Sequence, residues 1–598
     1  MTKLIGYING RQVEFDDGKT VLEVARENGH FIPTLCKMGE LNHAPATCRV
    51  CLAEIERQGN GGRKTVTTCN TPMEANLHVY TRTQNVREKQ RLQVELLLAD
   101  HDQDCATCVR HGDCELQDVA QFVGLQQTRF GNEAFYQSRT RDSSSPAIVR
   151  DMTKCIRCFR CVTVCRDVQG VDVLTVVEKG LSTEIGVRDS VFIGGSDCVS
   201  CGQCTLVCPV GALAEVQDAE PVVDFLYDPE IFTVFQFAPA VRVALGEEFG
   251  LAPGTNVEGE LITALRRLGA DVVLDTNFTA DLVIMEEGTE LMSRLKTGGR
   301  LPMFTSCSPG WINFMEKNYP EMLEHLSTTK SPQQCFGAIA KSYLAQRMNV
   351  APERMRVISI MPCTAKKGEA GRPEFYHNKQ ADVDVVLTTR EFGRLLRREG
   401  IHLPSLQKGS YDNPWMGAYT GAAEIFGTTG GVMEAALRSV YYLAGGKELE
   451  QIELQAVRGL DDVRTANIDI PGLGVAKVAV AHGLKAARKI VEQVKNGEAE
   501  YHFVEVMTCP GGCICGGGQP KGKKSYHSSK QARQQAIYAI DTDAVIRQSH
   551  NNPLIKQLYD NYLGAPNSHL AHKLLHTSYV NRQREIRHTM KEIWEEIS

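Results

Sequence analysis

Two stretches decide how this chain is organised: Cys155-Ile-Arg-Cys158-Phe-Arg-Cys161-Val-Thr-Val-Cys165 and Cys198-Val-Ser-Cys201-Gly-Gln-Cys204-Thr-Leu-Val-Cys208. In each, three cysteines recur with two residues between them, and a fourth follows after three more. Three thiolates at that spacing reach three corners of one cuboidal iron–sulfur cluster, and the fourth is left for a neighbouring cluster. Zinc takes four donors in a tetrahedron and has no use for two such runs. The pattern predicts a pair of 4Fe-4S clusters held by residues 136–218.

The composition agrees with metal ligation. The chain has 598 residues, 42% hydrophobic and 23% charged, with 21 cysteines. That length predicts several domains with ample core. Fifteen cysteines fall before residue 210, so the N-terminal third is dense in thiols and the remainder resembles an ordinary globular domain. The opening MTKLIGYINGRQVEFDDG lacks the charged-then-apolar pattern of an export signal, and an odd cysteine total suits a disulfide framework poorly. A cytoplasmic chain is expected. No run of about 18 apolar residues is present, which excludes a membrane span. A net charge of −6 gives no support for nucleic-acid binding.

Working outward, residues 3–15 read as a β-hairpin about Asn9-Gly10, and Thr20–Asn28 as a helix stopped by Gly29. Cys36, Cys48, Cys51 and Cys69 follow. Four cysteines can hold zinc or a 2Fe-2S cluster. The order of hairpin, helix and cysteines resembles a plant-type 2Fe-2S ferredoxin domain, assigned to residues 1–80, in the spacing variant of complex I and hydrogenases. Residues 85–100 read as a helix with Leu92, Leu96 and Leu97 on one side. It leads to His101-x3-Cys105-x2-Cys108-x5-Cys114, which spacing alone also allows as a zinc knuckle. The histidine-first order after a ferredoxin domain resembles the His-ligated 4Fe-4S motif of the same families, placed in residues 81–135. The paired runs in turn resemble a two-cluster bacterial ferredoxin. Pro209 follows the second run as in that pattern, Arg166 replaces proline after the first, and Val173–Val177 predicts a strand within an insertion.

Beyond residue 218 strands such as Val234–Phe237 and Val272–Leu274 alternate with helical stretches such as Glu258–Leu268 and Val432–Leu443, predicting α/β layers. Three cysteine-bearing segments stand there: Thr305-Ser-Cys-Ser-Pro-Gly-Trp311, Met361-Pro-Cys-Thr-Ala-Lys-Lys-Gly-Glu369, and Glu505-Val-Met-Thr-Cys-Pro-Gly-Gly-Cys-Ile-Cys-Gly-Gly-Gly-Gln-Pro520. In that order they resemble the signature segments of iron-only (FeFe) hydrogenases, and with the four-cluster region the resemblance covers essentially the whole chain. It is nearest in kind to the catalytic subunit of NAD-linked, electron-bifurcating forms. The implied architecture is multidomain α+β and α/β, ending in an H-cluster catalytic domain at 219–598. The implied cofactors are one 2Fe-2S cluster, three accessory 4Fe-4S clusters, and the H-cluster, a 4Fe-4S cube joined to a two-iron subsite with CO, cyanide and azadithiolate.

The resemblance carries over residue by residue. Cys363, Cys509 and Cys513 match cube ligands, with Cys513 bridging to the two-iron subsite. Lys366 matches a lysine that hydrogen-bonds a cyanide, a charge-assisted contact. Met361, Met507 and Gln333 match neighbours of the subsite, as does Pro239; Ala240 stands where many relatives carry serine. Glu287, Glu290, Arg294 and Ser327 match a proton path, although their spacing alone reads as a solvated helical charge face. The departure is at Cys307-Ser308, where relatives have adjacent cysteines, the first relaying protons and the second ligating the cube. In register, Cys307 is the relay and Ser308 takes the fourth ligand position; the opposite assignment, with Cys307 ligating, also fits the sequence.

Cys335 and Cys515 read as packing residues, Gly427–Gly431 as a helix start rather than a phosphate loop, and Ile586–Ile597 as an amphipathic helix. No dinucleotide fingerprint is present, so a flavin/NAD-binding subunit, a small iron–sulfur subunit and ferredoxin are the implied partners, with H2 and protons as substrates. A stand-alone ferredoxin-dependent hydrogenase is the alternative. From another class come a hydrogenase-like iron–sulfur sensor or assembly protein, which would not need the proton path, and a complex I or formate dehydrogenase subunit, against which the three segments argue.

Overall fold

The computed structural model describes residues 3–57, 62–131, 139–190, 192–377, 379–412, 414–522 and 526–583. The amphipathic pattern at Ile586–Ile597 and the junction near residue 135 lie outside them.

The N-terminal hairpin forms as expected. Leu4–Ile8 pairs antiparallel with Arg11–Phe15, and Asn9 and Gly10 take the left-handed backbone (φ 50° and 81°) that a tight hairpin turn needs. Thr20 and Glu23 close a capping box on the Val21–Glu27 helix. Five strands then make one mixed sheet, in the order Arg11–Phe15, Leu4–Ile8, His78–Tyr80, Leu52–Glu56, Lys64–Thr67, as in a plant-type ferredoxin.

The Gln84–Ala99 helix departs from expectation in which face it buries. Val86, Gln90, Val94 and Glu95 point inward, while Leu96 is exposed. Gln90 donates to the Leu52 carbonyl and Glu95 is paired with Arg129, so polar side chains with fixed partners displace leucines from the interior.

Within the two long cysteine runs the backbone repeats itself. Arg157 and Ser200, each two residues after the first cysteine, have φ 53° and 61°; Phe159 and Gly202, each one after the second, have φ 61° and 70°. These left-handed turns aim amides at sulfur: Arg157 N–H donates to Cys155 Sγ and Ser200 N–H to Cys198 Sγ, both at 3.4 Å. The predicted insertion strand pairs with Glu184–Val187 in a hairpin, as Leu174–Val177.

The catalytic part rests on two sheets. In one, Val272–Val273, Phe232–Phe237, Met355–Met361 and Val385–Thr388 run parallel. In the other, Met303–Phe304, Phe503–Met507 and Gly474–His482 are parallel, and Val463–Ile470 is antiparallel at the edge. In all three cysteine-bearing segments the first cysteine, Cys307, Cys363 or Cys509, lies two or three residues past the end of a parallel strand. That is the end of an α/β sheet where ligands are bound.

Candidate active site

Ser308 and Cys509 follow neighbouring strands of one sheet and Cys363 a strand of the other, and the three meet around one cavity. It has a volume of about 80 Å³ and is lined by Cys307, Ser308, Cys363, Cys509 and Cys513, with Met361, Met507, Pro239, Gln333 and Lys366. Thr276, Pro332 and Phe426, which the sequence does not single out, also line it, as do Pro362 and Thr508 of the quoted segments. Ala240 is not on the wall; it is fully buried behind Pro239, and its carbonyl accepts from the Gln519 amide at 2.9 Å.

Lys366 leans across the mouth of this space. Its ammonium donates to the Cys307 carbonyl (3.2 Å) and to Glu369 (2.8 Å). Gln333 Nε2 also donates to Glu369 (3.1 Å), leaving the buried Gln333 Oε1 without a partner. Glu369 thus orients both polar residues; its position three after Lys366 on the Ala365–Ala370 helix is the signal the sequence offered.

The donor set fits a cluster of iron. Burial pushes the Cys363 and Cys509 thiols above their ordinary value and Cys513 up to about 12, so bare they would stay protonated. Bound iron supplies the positive charge that holds buried sulfurs as thiolates, and soft sulfur donors suit it.

From Cys307 a line of titratable groups leads outward along the Thr276–Thr297 helix. Burial raises the Cys307 thiol strongly, with Glu287 adding to it. Glu287 is itself buried with neither oxygen hydrogen-bonded; burial and then Glu290 raise it to about 8, against the pull of Ser327, the Ser306 amide and Arg294. The Ser327 hydroxyl donates to Glu290 at 3.0 Å, and Arg294 to Glu290 at 2.6 Å. The Arg294 guanidinium also reaches the Leu326 carbonyl (2.8 Å) near the surface. The spacing of these residues looked like a solvated face, but Glu287 points into the protein.

The accessory cysteines are gathered as well. Cys36 and Cys48 sulfurs lie 3.4 Å apart, and Cys51 and Cys69 pair beside them. Cys155, Cys158, Cys161 and Cys208 surround one small apolar cavity, so the last cysteine of the second run joins the first three of the first. Cys165 correspondingly interacts with Cys198, Cys201 and Cys204. His101 is buried with its Nδ1 unpartnered, and burial lowers its pKa, which favours the neutral imidazole a metal binds. Cys105, Cys108 and Cys114 follow it, and a Cβ on Gly211 would come within 2.7 Å of Cys108 Sγ, so this motif abuts the Cys208 run. His43 joins the first domain to the third, its ring nitrogens 2.8 Å from the Cys158 carbonyl and 2.9 Å from the Thr163 hydroxyl.

The last junction is the tightest. A Cβ on Gly517 would stand 2.3 Å from the Cys201 carbonyl oxygen, and one on Gly202 would stand 2.3 Å from Thr364 Oγ1. Gln203 donates to the Cys515 carbonyl at 2.9 Å, and Thr364 to the Ser200 carbonyl at 2.7 Å. Cys335 and Cys515 are fully buried and not among the cavity residues.

A parallel-stranded α/β domain that gathers soft sulfur donors at its strand ends, and that is fed by ferredoxin-like modules, defines an iron–sulfur oxidoreductase; the chain belongs to the iron-only hydrogenase family, as a catalytic subunit with additional iron–sulfur domains. Residues 231–517 match the family model described as the iron-only hydrogenase large subunit, C-terminal domain, and residues 527–582 match that of the iron hydrogenase small subunit. Residues 3–84 match a 2Fe-2S iron–sulfur cluster binding domain, 90–129 the NADH-ubiquinone oxidoreductase-G iron–sulfur binding region, and 145–214 the ferredoxin-like domain of NADH-quinone oxidoreductase subunit 3. The NADP-reducing hydrogenase subunit HndD of Solidesulfovibrio fructosivorans is 44% identical over 98% of this chain and 100% of its own length. Iron hydrogenase 1 of Clostridium pasteurianum is 38% identical over 96% and 99%. Among solved structures, an apo [FeFe]-hydrogenase variant from Chlamydomonas reinhardtii superposes with a TM-score of 0.55 at 44% identity, covering 61% of this chain and 99% of that one. The small-subunit segment was not anticipated from the sequence, because it holds no cysteine to mark it.

Proposed function

We propose that the chain interconverts H2 with two protons and two electrons at the cavity of Cys307, Ser308, Cys363, Cys509 and Cys513. When bound there, the H-cluster supplies the metal centre at which H2 is made or split. Cys363, Cys509 and Cys513 would hold it, with Ser308 as the fourth donor. Met361 and Met507 pack on it and exclude water, while Lys366 and Gln333 offer polar contacts fixed by Glu369.

Protons move through Cys307 Sγ to Glu287, then by Ser327 and Glu290 to Arg294 at the surface. The raised pKa of Glu287 carries this reading, because a carboxyl near 8 gives and takes protons at small cost around neutral pH. An assembly or sensing protein has no need of that residue, buried and unpartnered beside a thiol. The assay is dye-linked H2 oxidation after loading the two-iron subsite. Turnover that tracks loading is expected, and none after verified loading would overturn the reading.

Residues 1–80, 81–135 and 136–218 would hold one 2Fe-2S and three 4Fe-4S clusters on the ligands named above, and when bound those clusters would supply electron transfer to the cavity. The His43 and Gly211 contacts set the first and the second of these segments against the third, and the Gly517 contact sets the third against the catalytic domain. The physiological carriers are a pyridine nucleotide, reached through a flavin-bearing subunit and a small iron–sulfur subunit, and ferredoxin, with electron bifurcation between them in the cytoplasm. The name of the HndD relative supports the nucleotide; among the described residues no helix is long and apolar enough to cross a membrane. Reduction of NAD+, NADP+ and ferredoxin, each with and without the candidate subunits, decides which carriers are used.

A further inference from the structure

Next to Glu290 lies a buried carboxylate–imidazole pair that the proton path does not use. The Thr328 hydroxyl is 3.3 Å from Glu290 Oε2 and 2.8 Å from His576 Nδ1. The opposite ring nitrogen, His576 Nε2, is 3.1 Å from Glu286 Oε2. Glu286 precedes Glu287 on the same helix, so the two side chains leave it about 100° apart. Both are buried, but where Glu287 has no partner, Glu286 accepts from the Tyr559 hydroxyl and from the Asn567 amide at 2.8 Å.

His576 is held as firmly. Its backbone bridges Thr329; Lys330 N–H donates to the Leu575 carbonyl (2.7 Å) and Thr577 N–H to the Thr328 carbonyl (2.8 Å). Its ring stacks on exposed His572, with centroids 4.6 Å apart. The ionisable groups around it are Glu286 and Glu290 on the long helix, His572 on its own helix, Tyr559 and the Cys335 thiol on the far side of Glu286, and Arg294 beyond Glu290.

We propose that His576 is a proton-holding side station of the path, filled from Glu290 through the Thr328 hydroxyl. Protonated Glu290 gives its proton to Thr328 Oγ1 as the Thr328 proton passes to His576 Nδ1. One O–H bond breaks at Glu290, one is exchanged at Thr328, and one N–H bond forms; no electron moves. The products are the Glu290 carboxylate, already paired with Arg294, and an imidazolium paired with Glu286. The side station lets the protein keep a proton within reach of the site between electron arrivals. This inference rests on the path through Glu287, Ser327 and Glu290.

The test uses infrared difference spectra (H2 minus argon) of the full holoenzyme with isotope-labelled histidine, alongside dye-linked turnover. Imidazole bands are expected in the parent and in Thr328→Ser, which keeps the hydroxyl, and are expected to be lost in His576→Gln and Thr328→Val. Thr328→Val keeps the shape of the side chain, so it remains informative if His576→Gln does not fold. Histidine bands absent from the parent, or unchanged in Thr328→Val, would overturn the side station. Glu290→Gln separates the two readings. If it leaves turnover intact the path itself is wrong, whereas if it abolishes turnover while Thr328→Val keeps the bands, the side station alone is wrong.

Discussion

The Ser308 hydroxyl lies 2.7 Å from the Thr508 hydroxyl, and the Thr508 amide N–H donates to the same Ser308 oxygen at 3.3 Å. An oxygen that accepts from the Thr508 amide, with the Thr508 hydroxyl in reach as a second donor, has the surroundings that an alkoxide donor needs. We therefore expect Ser308→Ala to change the EPR signal of the reduced cube, and Ser308→Cys to restore a signal of all-thiolate type. An unchanged signal in Ser308→Ala would remove serine from the ligand set.

Glu287 provides a pH signature. Its folded pKa of about 8 lies above its ordinary 4.5, so its contribution favours folding most below pH 4.5 and is lost as pH rises through 8. By linkage, the buried carboxyl costs about 3 kcal/mol at pH 7. Glu287→Gln should lower turnover by roughly 10²–10⁴-fold. It should also gain thermal stability over the parent between pH 5 and 8. Parallel melting curves across that range would contradict the burial argument.

Lys366 should matter to cofactor retention more than to folding. Its ammonium is fixed by Glu369 and the Cys307 carbonyl at the cavity mouth. Lys366→Met is expected to keep the cube by EPR while losing the infrared cyanide bands of the two-iron subsite. Full cyanide bands in that variant would show that the ammonium is not needed.

Glu316 should be the most costly surface-to-core tether to cut. It is fully buried, pairs with Arg372, and accepts from Arg582 Nε at 2.9 Å. Glu316→Ala leaves the buried Arg372 without its main partner, a loss of about 3–5 kcal/mol. Denaturant unfolding followed by tryptophan fluorescence measures it, since Trp311 lies on the same Pro309–Asn318 helix.

Gly517→Ala should separate electron delivery from chemistry. The added methyl meets the Cys201 carbonyl at 2.3 Å and must push the two modules apart. H2/D2O isotope exchange, which needs only the active site, should persist while ferredoxin-linked turnover falls. Equal losses in both would place the damage in the active site itself.

The parts legible in the sequence were those that local rules dictate. Asn9-Gly10 announced the hairpin, and the runs from Cys155 and Cys198 announced clusters, because ligands close in sequence need no tertiary information to be recognised. Glu287 shows the limit. Helical spacing put it on a charge face, and its burial depends on Ser306 and Ser327 arriving from other elements. Thr328 and His576 are 248 positions apart, and neither carries a motif, so their contact emerges only from the fold. Leu96 failed for a related reason, since fixed partners for Gln90 and Glu95 outweighed hydrophobic periodicity.

The backbone contact of Gly517 with Cys201 and Gly202 also bears on how such chains diversify. Wherever a carbonyl meets a glycine with no room for a methyl, the two modules must evolve as one surface. Grafting a foreign ferredoxin unit onto this catalytic domain would therefore have to carry the 200–204 turn with it, whereas the contact farther out is made through the His43 side chain, which can be redesigned.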